Sequence, residues 1–487
     1  MVDIMASRPY KRRKLVETKP APPAQVQVQF QSAEGELVGP ELDMSSATTA
    51  PQLQLLLNKL LDSEENYSIY LGPVEVKEDL QTALSQTSTT AESLLRLTYH
   101  PMSLFRVAAV SRATSNLEGH TESILAVQFS HDGKKLATGA GDATARIWDL
   151  DTETPQFTLN GHKNWVLVVS WAPDSKTLAT AGMDAVILLW DPETGKAKGS
   201  RKGLRGHSKW VSSLAWEPFH SNPECNRLIS ASKDHSVRVW DIRTCTCVAI
   251  LNGHQAAVTR VIWGGLGLAY TASQDRLVKV WHCSDFRPVR DLKGHAHWVN
   301  QLACSTDFAL RTGCYDPLTP QPELLADQRL AAQAKFDKAL GHTERLVSCS
   351  DDFTLFLWTP ATSTQPVARM TGHQQQVTAV AFSPDGHFVI SASFDKSLRL
   401  WDGFNGNFIS TLRSHVGEVY QVSWSPDGRM LVSGSKDSTL KVWGMRAKKV
   451  VKDLPGHADQ VYAVDWSPDG LKVASGGRDR ILNIWRS

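Results

Sequence analysis

One spacing of three residue types occurs eight times between residue 138 and residue 485. Each copy has a Ser or Thr, an Asp four residues later and a Trp six residues after the Asp, and a His lies upstream, preceded by Gly in seven of the eight copies. The copies are His120/Thr138/Asp142/Trp148, His162/Thr180/Asp184/Trp190, His207/Ser230/Asp234/Trp240, His254/Thr271/Asp275/Trp281, His295/Ser348/Asp352/Trp358, His373/Ser391/Asp395/Trp401, His415/Ser433/Asp437/Trp443 and His457/Ser475/Asp479/Trp485. A sequence that repeats at this period predicts an array of equivalent structural units that share one architecture.

The segments between these residues predict short strands. Alternating apolar stretches such as "ILAVQFS" and "LVSGS" have the period of a half-buried strand, and "SPDG" supplies turn residues. The pattern resembles the WD repeat, which has about 40–45 residues and four strands per blade, and it implies an eight-bladed β-propeller. In that family the His, Ser/Thr, Asp and Trp side chains form a hydrogen-bonded chain within each blade, so the resemblance implies a structural role for them.

A Ser–His–Asp set is also the signature of a hydrolase triad, which needs one exposed nucleophile. Eight equivalent sets, each paired with a Trp, argue against that interpretation. The sequence contains no G-x-S-x-G, P-loop or H-E-x-x-H motif. We therefore expect no enzymatic activity, although an enzyme without a recognisable motif stays open.

Two segments depart from the regular repeat. Each unit supplies three strands of its own blade and leads into the next, so the last blade needs a fourth strand from upstream of His120. We predict that residues 104–487 form the propeller, that residues 104–117 close its last blade, and that Phe105–Val110 is the closing strand. An insertion at about 313–343, containing "PELLADQRLAAQAKFDKAL", predicts a helix. It is either a tolerated surface loop or a binding element.

The region before the propeller has a different composition. Residues 1–25 hold six Lys/Arg and two acids, and residues 26–103 hold three Lys/Arg and eleven acids. We expect residues 1–25 to be a disordered basic tail. In residues 26–103, the order of a hairpin ("VQVQFQS" and "ELVGPELDM"), a helix ("PQLQLLLNKLL") and further strands resembles the α+β ubiquitin-like β-grasp. The predicted fold class is therefore mainly β, an eight-bladed WD40 propeller preceded by a small ubiquitin-like domain.

Other features restrict the class of protein. The seven cysteines follow no disulfide framework, and Cys245 and Cys247 lack a second pair at zinc-site spacing. No apolar run is long enough to span a membrane, and the N-terminal segment "MVDIMASRPYKRRK" lacks the apolar region of a secretory signal. We expect an intracellular protein that does not bind membranes.

The segments "LFRVAAVSRATSNLEGH", "GHSKWVSSLAWEPFHSNPEC", "SDDFTLFLW" and "LPGHADQVYAVDWSPDG" resemble the Notchless family, from about residue 26 to the end. The resemblance implies a factor that assembles the large ribosomal subunit in the nucleus and nucleolus. It implies that the propeller binds precursor ribosomal RNA and proteins, as a monomer within the particle. It also implies that the AAA ATPase midasin grips the ubiquitin-like domain, so that ATP-driven pulling remodels the particle and releases factors.

The resemblance also implies one metal-binding acid. The adhesion-type domain of midasin holds a divalent ion, usually Mg²⁺, and a carboxylate of its partner completes the coordination shell. The position of this acid in the family matches Glu75 in "YSIYLGPVEVKEDL", and Glu78 and Asp79 are its neighbouring competitors. We expect no cofactor bound by this chain alone.

Basic clusters predict further contacts. Two clusters in the propeller are candidates for contact with RNA or the particle: Lys196, Lys198, Arg201, Lys202, Arg205 and Lys209, then Arg446, Lys448, Lys449 and Lys452. Lys11, Arg12, Arg13 and Lys14 resemble a nuclear localisation signal or form part of a solvated tail. A general WD40 adaptor, such as a ubiquitin-ligase substrate receptor or a signalling scaffold, is the alternative function.

Overall fold

The structure is a computed structural model that describes residues 25–32, 37–61, 67–72, 74–76, 79–86, 94–101, 107–199, 203–317, 322–341 and 343–486. The chain divides into two compact units, residues 1–101 and 102–487. Predictions on residues 1–24, which include Lys11, Arg12, Arg13 and Lys14, lie outside the described residues.

The first unit is a mixed five-stranded sheet with helices. Its elements are β1 (Gln25–Ser32), β2 (Leu37–Ser45), α1 (Ala50–Leu61), β3 (Tyr67–Leu71), β4 (Val74–Glu75), α2 (Leu80–Gln86) and β5 (Leu95–Pro101). The strand order is β2-β1-β5-β3-β4, and β1 pairs with β5 in parallel. Val28 and Phe30 of β1 and Leu53 and Leu57 of α1 are fully buried. This arrangement confirms the predicted hairpin, helix and strand order of a β-grasp.

The second unit contains eight four-stranded antiparallel sheets, which we call blades 1 to 8 in ring order. Blades 1 to 4 are β7–β10 (Ile124–Phe129, Lys135–Ala140, Thr144–Asp149, Thr154–Asn160), β11–β14 (Val166–Trp171, Leu178–Gly182, Val186–Trp190, Leu204–Arg205), β15–β18 (Val211–Trp216, Arg227–Ser232, Val237–Asp241, Thr246–Leu251) and β19–β22 (Val258–Trp263, Leu268–Ser273, Leu277–His282, Pro288–Lys293). Blades 5 to 7 are β23–β26 (Val299–Cys304, Leu346–Ser350, Leu355–Trp358, Ala368–Met370), β27–β30 (Val377–Phe382, Phe388–Ser393, Ser397–Asp402, Phe408–Arg413) and β31–β34 (Val419–Trp424, Met430–Ser435, Thr439–Gly444, Lys449–Pro455). Blade 8 combines β35–β37 (Val461–Trp466, Lys472–Gly477, Leu482–Arg486) with β6 (Arg112–Leu117).

The blades close into a ring. The first strand of each blade contacts the first strands of both neighbours, and β35 of blade 8 contacts β7 of blade 1. These eight strands therefore surround the central channel, and the fourth strands lie at the periphery. This geometry confirms the predicted eight-bladed propeller.

The strand predicted to close the ring was wrong in detail. Residues 107–110 form no strand, 102–106 lie outside the described residues, and the strand that pairs with β37 is Arg112–Leu117. An outermost strand needs one hydrogen-bonded neighbour and little burial, so the polar sequence "RATSNL" is suitable. The apolar residues just before it have another role, because Val110 is fully buried among side chains of blades 7 and 8.

The propeller has two faces, which differ in the connections they carry. The His face carries the loops between blades, with the motif His, and the turns between second and third strands, with the motif Asp. The opposite face carries the turns between first and second strands and between third and fourth strands. We call it the insertion face, because α3 (Asp307–Thr312) and α4 (Leu325–Leu340) lie in the connection between β23 and β24.

Closure by β6 leads to a truncation test. A variant that begins at residue 102 keeps β6 and Val110, whereas one that begins at residue 119 exposes the edge of β37 and removes that core contact. We expect the first to unfold cooperatively near the temperature of the full chain's propeller and the second to aggregate. Thermal unfolding and size-exclusion chromatography measure this, and equal behaviour of the two truncations would contradict the closure.

Candidate functional site

The four motif residues of each blade form one hydrogen-bonded chain. The Trp Nε1–H donates to the Ser or Thr hydroxyl at 2.8–2.9 Å. His Nε2 lies 2.7–2.8 Å from the same hydroxyl. His Nδ1 lies 2.7–3.0 Å from an Asp oxygen. This set of hydrogen bonds joins the entry loop, the second strand, the next turn and the third strand of a blade.

The shared hydroxyl is unsuited to act as a nucleophile. When the His carries its proton on Nδ1, the hydroxyl donates a hydrogen bond to His Nε2 and accepts one from the Trp N–H. The hydroxyl therefore already has buried partners for its proton and for a lone pair. All eight hydroxyl-bearing residues are fully buried, so no substrate reaches them. A triad requires a hydroxyl that can attack a bound substrate, whereas these eight hydroxyls lie inside the blades.

The Asp of each set also holds a tight turn. In blade 1, Asp142 Oδ2 accepts the backbone N–H of Thr121 at 3.1 Å, and Oδ1 accepts the N–H of Thr144 at 2.9 Å. The residue after the Asp has φ between 60° and 72° in all eight blades, and none of these residues is Gly. A non-Gly residue in the left-handed region costs roughly 1–2 kcal/mol, which the carboxylate bonds offset.

These bonds favour the ionised carboxylate. Burial opposes ionisation of Asp142, but hydrogen bonds from His120 and Thr144 outweigh it and hold the pKa below its usual range. The pKa values of the other seven motif carboxyls are lowered by the same kinds of contact against the same opposing burial. A lowered native pKa adds stability above the unfolded-state pKa of about 4 and loses it as pH falls through the native value.

We therefore predict acid sensitivity that depends on the motif Asp residues. The free energy of unfolding should fall as pH drops below about 5, and Asp142→Asn should lower it by roughly 2 kcal/mol at pH 7 while making its pH dependence shallower. Urea unfolding between pH 7 and pH 3 measures both effects. The control is Asp327→Asn on the exposed surface of α4. An unchanged pH slope in Asp142→Asn would contradict the assignment.

The insertion covers one end of the channel, a role that the sequence did not predict. The predicted helix is α4, but α3 was not foreseen. Arg311 of α3 forms a bidentate ion pair with Asp465 on the inner strand of blade 8, with Nη1 2.9 Å from Oδ1. Gly313 lies against the Pro173 carbonyl of blade 2, where an added Cβ would be 3.2 Å from that oxygen. A segment of blade 5 that reaches blades 8 and 2 must cross the channel axis.

Other contacts attach the insertion to the blades it crosses. The Phe336 ring of α4 stacks on His220 of blade 3 with centroids 4.4 Å apart, and Arg329 Nε donates to the His220 carbonyl at 2.8 Å. Phe336 also occupies the space beside Gly265, where a Cβ would lie 2.0 Å from the ring. Burial and the nearby Arg311 lower the pKa of His131 in blade 1 to about 3. These contacts argue against a loose surface loop, and the other alternative, a binding element, stays a prediction.

A buried glutamate completes this attachment. Glu344 is fully buried just before β24, and its two oxygens accept bonds from Gly265 N–H at 2.9 Å, Thr306 Oγ1 at 2.7 Å and the Tyr270 hydroxyl at 2.6 Å. Burial, then the charge of Glu344, raises the pKa of Tyr270 well above its usual value. The end of the insertion is thereby fastened to blade 4.

The Arg311–Asp465 pair gives a stability prediction. Arg311→Ala leaves the Asp465 carboxylate buried without its cation, which should cost roughly 3–5 kcal/mol. The double variant with Asp465→Ala should recover part of this loss, because it removes the unpaired charge. Chemical unfolding of the full chain measures both, with the largely exposed Arg287→Ala as the control. If Arg311→Ala lowered the free energy of unfolding no more than Arg287→Ala, the Arg311–Asp465 pair would not hold the insertion in place.

Of the three acidic candidates of the first unit, Glu75 lies on an edge strand and Asp79 lies just before α2. Glu75 is the second residue of β4, an edge strand that, among the described residues, pairs with β3 alone. The side chain of Glu75 lies outside what the structure describes. Gly72 in the preceding turn has φ 57°, and no atom of the residues that the structure describes lies within 4 Å of an added Cβ. Glu78 lies outside the described residues.

Asp79 has a structural task. Its Oδ1 accepts the backbone N–H of Thr82 at 2.8 Å and also the Thr82 hydroxyl, so it caps the start of α2. These hydrogen bonds lower the pKa of Asp79. A carboxylate engaged in a helix cap is a poorer ligand for an external ion, which favours Glu75 among the three.

The two basic clusters are not brought together. Lys196 and Lys198 follow the third strand of blade 2 on the insertion face, and Lys198 Nζ donates to Thr177 Oγ1 at 2.7 Å. Arg205 is on β14 and Lys209 is in the next loop on the His face, whereas Arg201 and Lys202 lie outside the described residues. Arg446, Lys448, Lys449 and Lys452 lie on the turn before β34 and on β34 itself, in blade 7. Blades 8 and 1 separate the clusters, so they form two peripheral patches.

In the described ranges, no group of three or more His, Cys, Asp or Glu side chains is placed to hold a metal ion. None of the described helices is long and apolar enough to cross a bilayer. The seven cysteines are free thiols.

The fold and these side chains define a WD-repeat propeller protein with a ubiquitin-like module. The "WD domain, G-beta repeat" profile matches seven segments, 111–149, 153–191, 199–241, 245–282, 364–402, 406–444 and 448–486, and the unmatched blade is the one interrupted by the insertion. The "NLE (NUC135) domain" profile matches residues 26–87. A computationally designed protein, Ika8, shares the fold with a TM-score of 0.61 at 23% identity, over 77% of this chain and 100% of the designed one.

Comparison with curated relatives identifies the family. The chain is 48% identical to "Protein Notchless" of Drosophila melanogaster over 77% of this chain and 78% of that protein. It is 48% identical to "Notchless protein homolog" of Arabidopsis thaliana over 78% of this chain and 80% of that protein. It is 45% identical to "Ribosome assembly protein 4" of Saccharomyces cerevisiae over 79% of each chain. The chain therefore belongs to the family of Notchless and ribosome assembly protein 4.

Proposed function

We propose that this protein is a non-catalytic assembly factor of the large ribosomal subunit, acting in the nucleus and nucleolus. The observation that supports this most is the joint presence of an NLE domain and a closed eight-bladed propeller, in a chain 45% identical to a relative named Ribosome assembly protein 4. The propeller docks on the precursor particle, on its ribosomal RNA, ribosomal proteins and other assembly factors, as a monomer within the particle.

Gradient sedimentation tests this proposal. The tagged protein should co-migrate with large-subunit precursors, and depletion should reduce mature large subunits. Reversing the charges at Lys196 and Lys449, one in each basic patch, tests whether the patches contact RNA. If they do, association should weaken and its salt dependence should flatten, because fewer counterions are released. Migration only in the soluble fractions would reject the assembly role.

The acidic module is proposed to be the handle through which force is applied. In this proposal the adhesion-type domain of midasin holds a Mg²⁺ or similar divalent ion, and Glu75 of this chain supplies one oxygen to it. The place of Glu75 on an edge strand after an open turn supports access from outside. The eleven acids of residues 26–103 suit a cationic site. ATP-driven pulling by midasin would then remodel the particle and release factors.

Substitution of Glu75 tests this handle. Glu75→Ala and Glu75→Gln should preserve the fold but weaken midasin binding by roughly thirtyfold or more, since losing one member of a desolvated charge pair costs about 2–5 kcal/mol. Glu75→Asp should also fail, because one methylene less withdraws the oxygen by about 1.5 Å while Mg²⁺–oxygen distances are near 2.1 Å. In cells these variants should load on the particle and stall there.

The measurement is binding of the full chain to midasin's adhesion-type domain, with and without a chelator of divalent ions. The matched control is Asp79→Ala, which removes the cap of α2 but should keep metal-dependent binding. Binding that is indifferent to the chelator, or full affinity in Glu75→Ala, would reject this role for Glu75.

A further inference from the structure

Three tryptophans of the propeller differ from all the others in exposure. The chain has sixteen tryptophans, and thirteen of them are at most 8% exposed. The remaining three are Trp165 at 44%, Trp298 at 46% and the half-buried Trp210. Exposed tryptophan costs hydration free energy, so three at related places indicate a surface that is covered by a partner.

The three tryptophans occupy the same position in three blades. Each directly precedes the first residue of an inner strand: Trp165 before β11, Trp210 before β15 and Trp298 before β23. They therefore lie on the His face, at the rim of the channel, on blades 2, 3 and 5. The equivalent residue of blade 4 is Ala257, and those of blades 6, 7, 8 and 1 are Gln376, Glu418, Gln460 and Ser123. At this position aromatic side chains occur only on blades 2, 3 and 5, and we call this half of the rim, blades 2 to 5, the tryptophan half.

Cations accompany these rings. Lys233 Nζ lies 3.8 Å from the centroid of the Trp210 ring. Lys163, Lys209 and Arg276 are exposed on the His face of blades 2 to 4. In the described part of the chain, no carboxylate lies within ion-pair distance of these three cations. The tryptophan half thus combines flat aromatic surfaces with positive charge.

Apart from the motif carboxylates, two acids and one further aromatic ring lie in or beside the tryptophan half. Apart from the motif carboxylates, its acid is Asp351, which accepts a bond from Asn300 Nδ2 at 2.7 Å and lies 3.7 Å from His297 Nδ1. Glu122 of blade 1 lies near the edge of Trp165, because both approach the position of a Cβ on Gly141. Phe353, which is 41% exposed, adds a further aromatic ring in blade 5.

The other half of the His face has a different electrostatic character. Lys436 pairs with Glu418 at 3.3 Å, and Arg478 pairs with Asp459 at 3.6 Å. The cations there are partly neutralised by neighbours, and its rim residues are polar. The aromatic rings of this half, Phe394, Tyr420 and Tyr462, pack against one another, whereas Trp165, Trp210 and Trp298 stand on separate blades. Lys396 and Arg480 are exposed cations of this half, which also carries the acids Glu418 and Asp459.

We propose that the tryptophan half binds an unpaired segment of RNA, with bases stacked on Trp165, Trp210 and Trp298 and phosphates near Lys163, Lys209 and Arg276. This inference rests on the proposed function. It assigns an RNA contact to the channel rim, which shares Lys209 with the first basic cluster and lies apart from the other described residues of both clusters. Exposed rings separated by cations are how proteins bind single strands, because every base has a face that stacks and each nucleotide carries a phosphate. Bases within a duplex are stacked on each other and cannot use such rings.

The insertion supports the choice of this face. It covers the opposite end of the channel through Arg311 and Phe336, so the rim is open on the His face. A protein partner would also use tryptophan anchors, but such anchors cluster in one desolvated pocket. Here the rings stand on separate blades with unpaired cations between them, which suits a flexible polyanion better.

The test uses the full chain and a fluorescein-labelled, unstructured RNA of about 12 nucleotides, within the site sizes usual for single-strand binding. Trp165→Ala and Trp298→Ala should each weaken binding by roughly 5- to 150-fold with an unchanged salt slope. Trp165→Phe should recover most of the affinity, because the ring is kept. Lys163→Ala should instead reduce the salt slope by about one.

Val416→Ala is the matched control, because Val416 is 76% exposed on the same face but lies beside the other half of the rim. Tryptophan variants that bind the RNA as tightly as Val416→Ala would overturn the proposal. So would a duplex RNA that binds as tightly as the single strand. Tryptophan variants that leave the precursor particle but bind the RNA normally would show that a protein occupies this surface. Co-sedimentation with the particle tests the assembly role separately, since that role survives if only the RNA measurement fails.

Discussion

Each blade of this propeller depends on one buried hydroxyl group. The Ser or Thr of the second strand accepts a bond from the Trp of the third strand and binds the His of the entry loop, as between Thr180, Trp190 and His162. Each of these polar groups would cost free energy in the interior without its partner. The motif Asp then fixes the His and holds the next turn in a left-handed conformation. The chain is thus pinned at the same four points in all eight blades.

These regular blades set the conditions for the two irregular parts of the propeller. The ring closes because β6, from the start of the unit, pairs with β37 at its end. The channel closes at one end because the insertion of blade 5 reaches Asp465 of blade 8 and His220 of blade 3. On the insertion face, side chains of the insertion therefore contact other blades of the same chain. The His face keeps an open rim with three exposed tryptophan rings. A ligand that approaches the centre of the propeller meets the His face.

Much of this could be predicted from the sequence, because local patterns produced it. The eight spacings predicted eight blades, the helix-forming composition of the insertion predicted α4, and the module's hairpin, helix and strands lie in the expected order. The prediction of Phe105–Val110 as the closing strand is wrong, because apolar composition indicates burial as well as strand formation. Val110 packs in a core, and the polar residues after it pair at the edge. The sequence indicated two basic clusters as candidates for contact with RNA but not their positions, and the ring separates them.

The sequence by itself determined the number of blades, the hydrogen-bonded set within each and the family to which the chain is similar, because these depend on residues at fixed, short separations. The tertiary structure alone decided which distant residues meet. Arg311 and Asp465 are 154 residues apart and pair across the channel, and Trp165, Trp210 and Trp298 share one rim only because their blades lie side by side or one apart in the ring. Contacts of this kind follow from ring closure, a property of the whole chain that no local pattern contains.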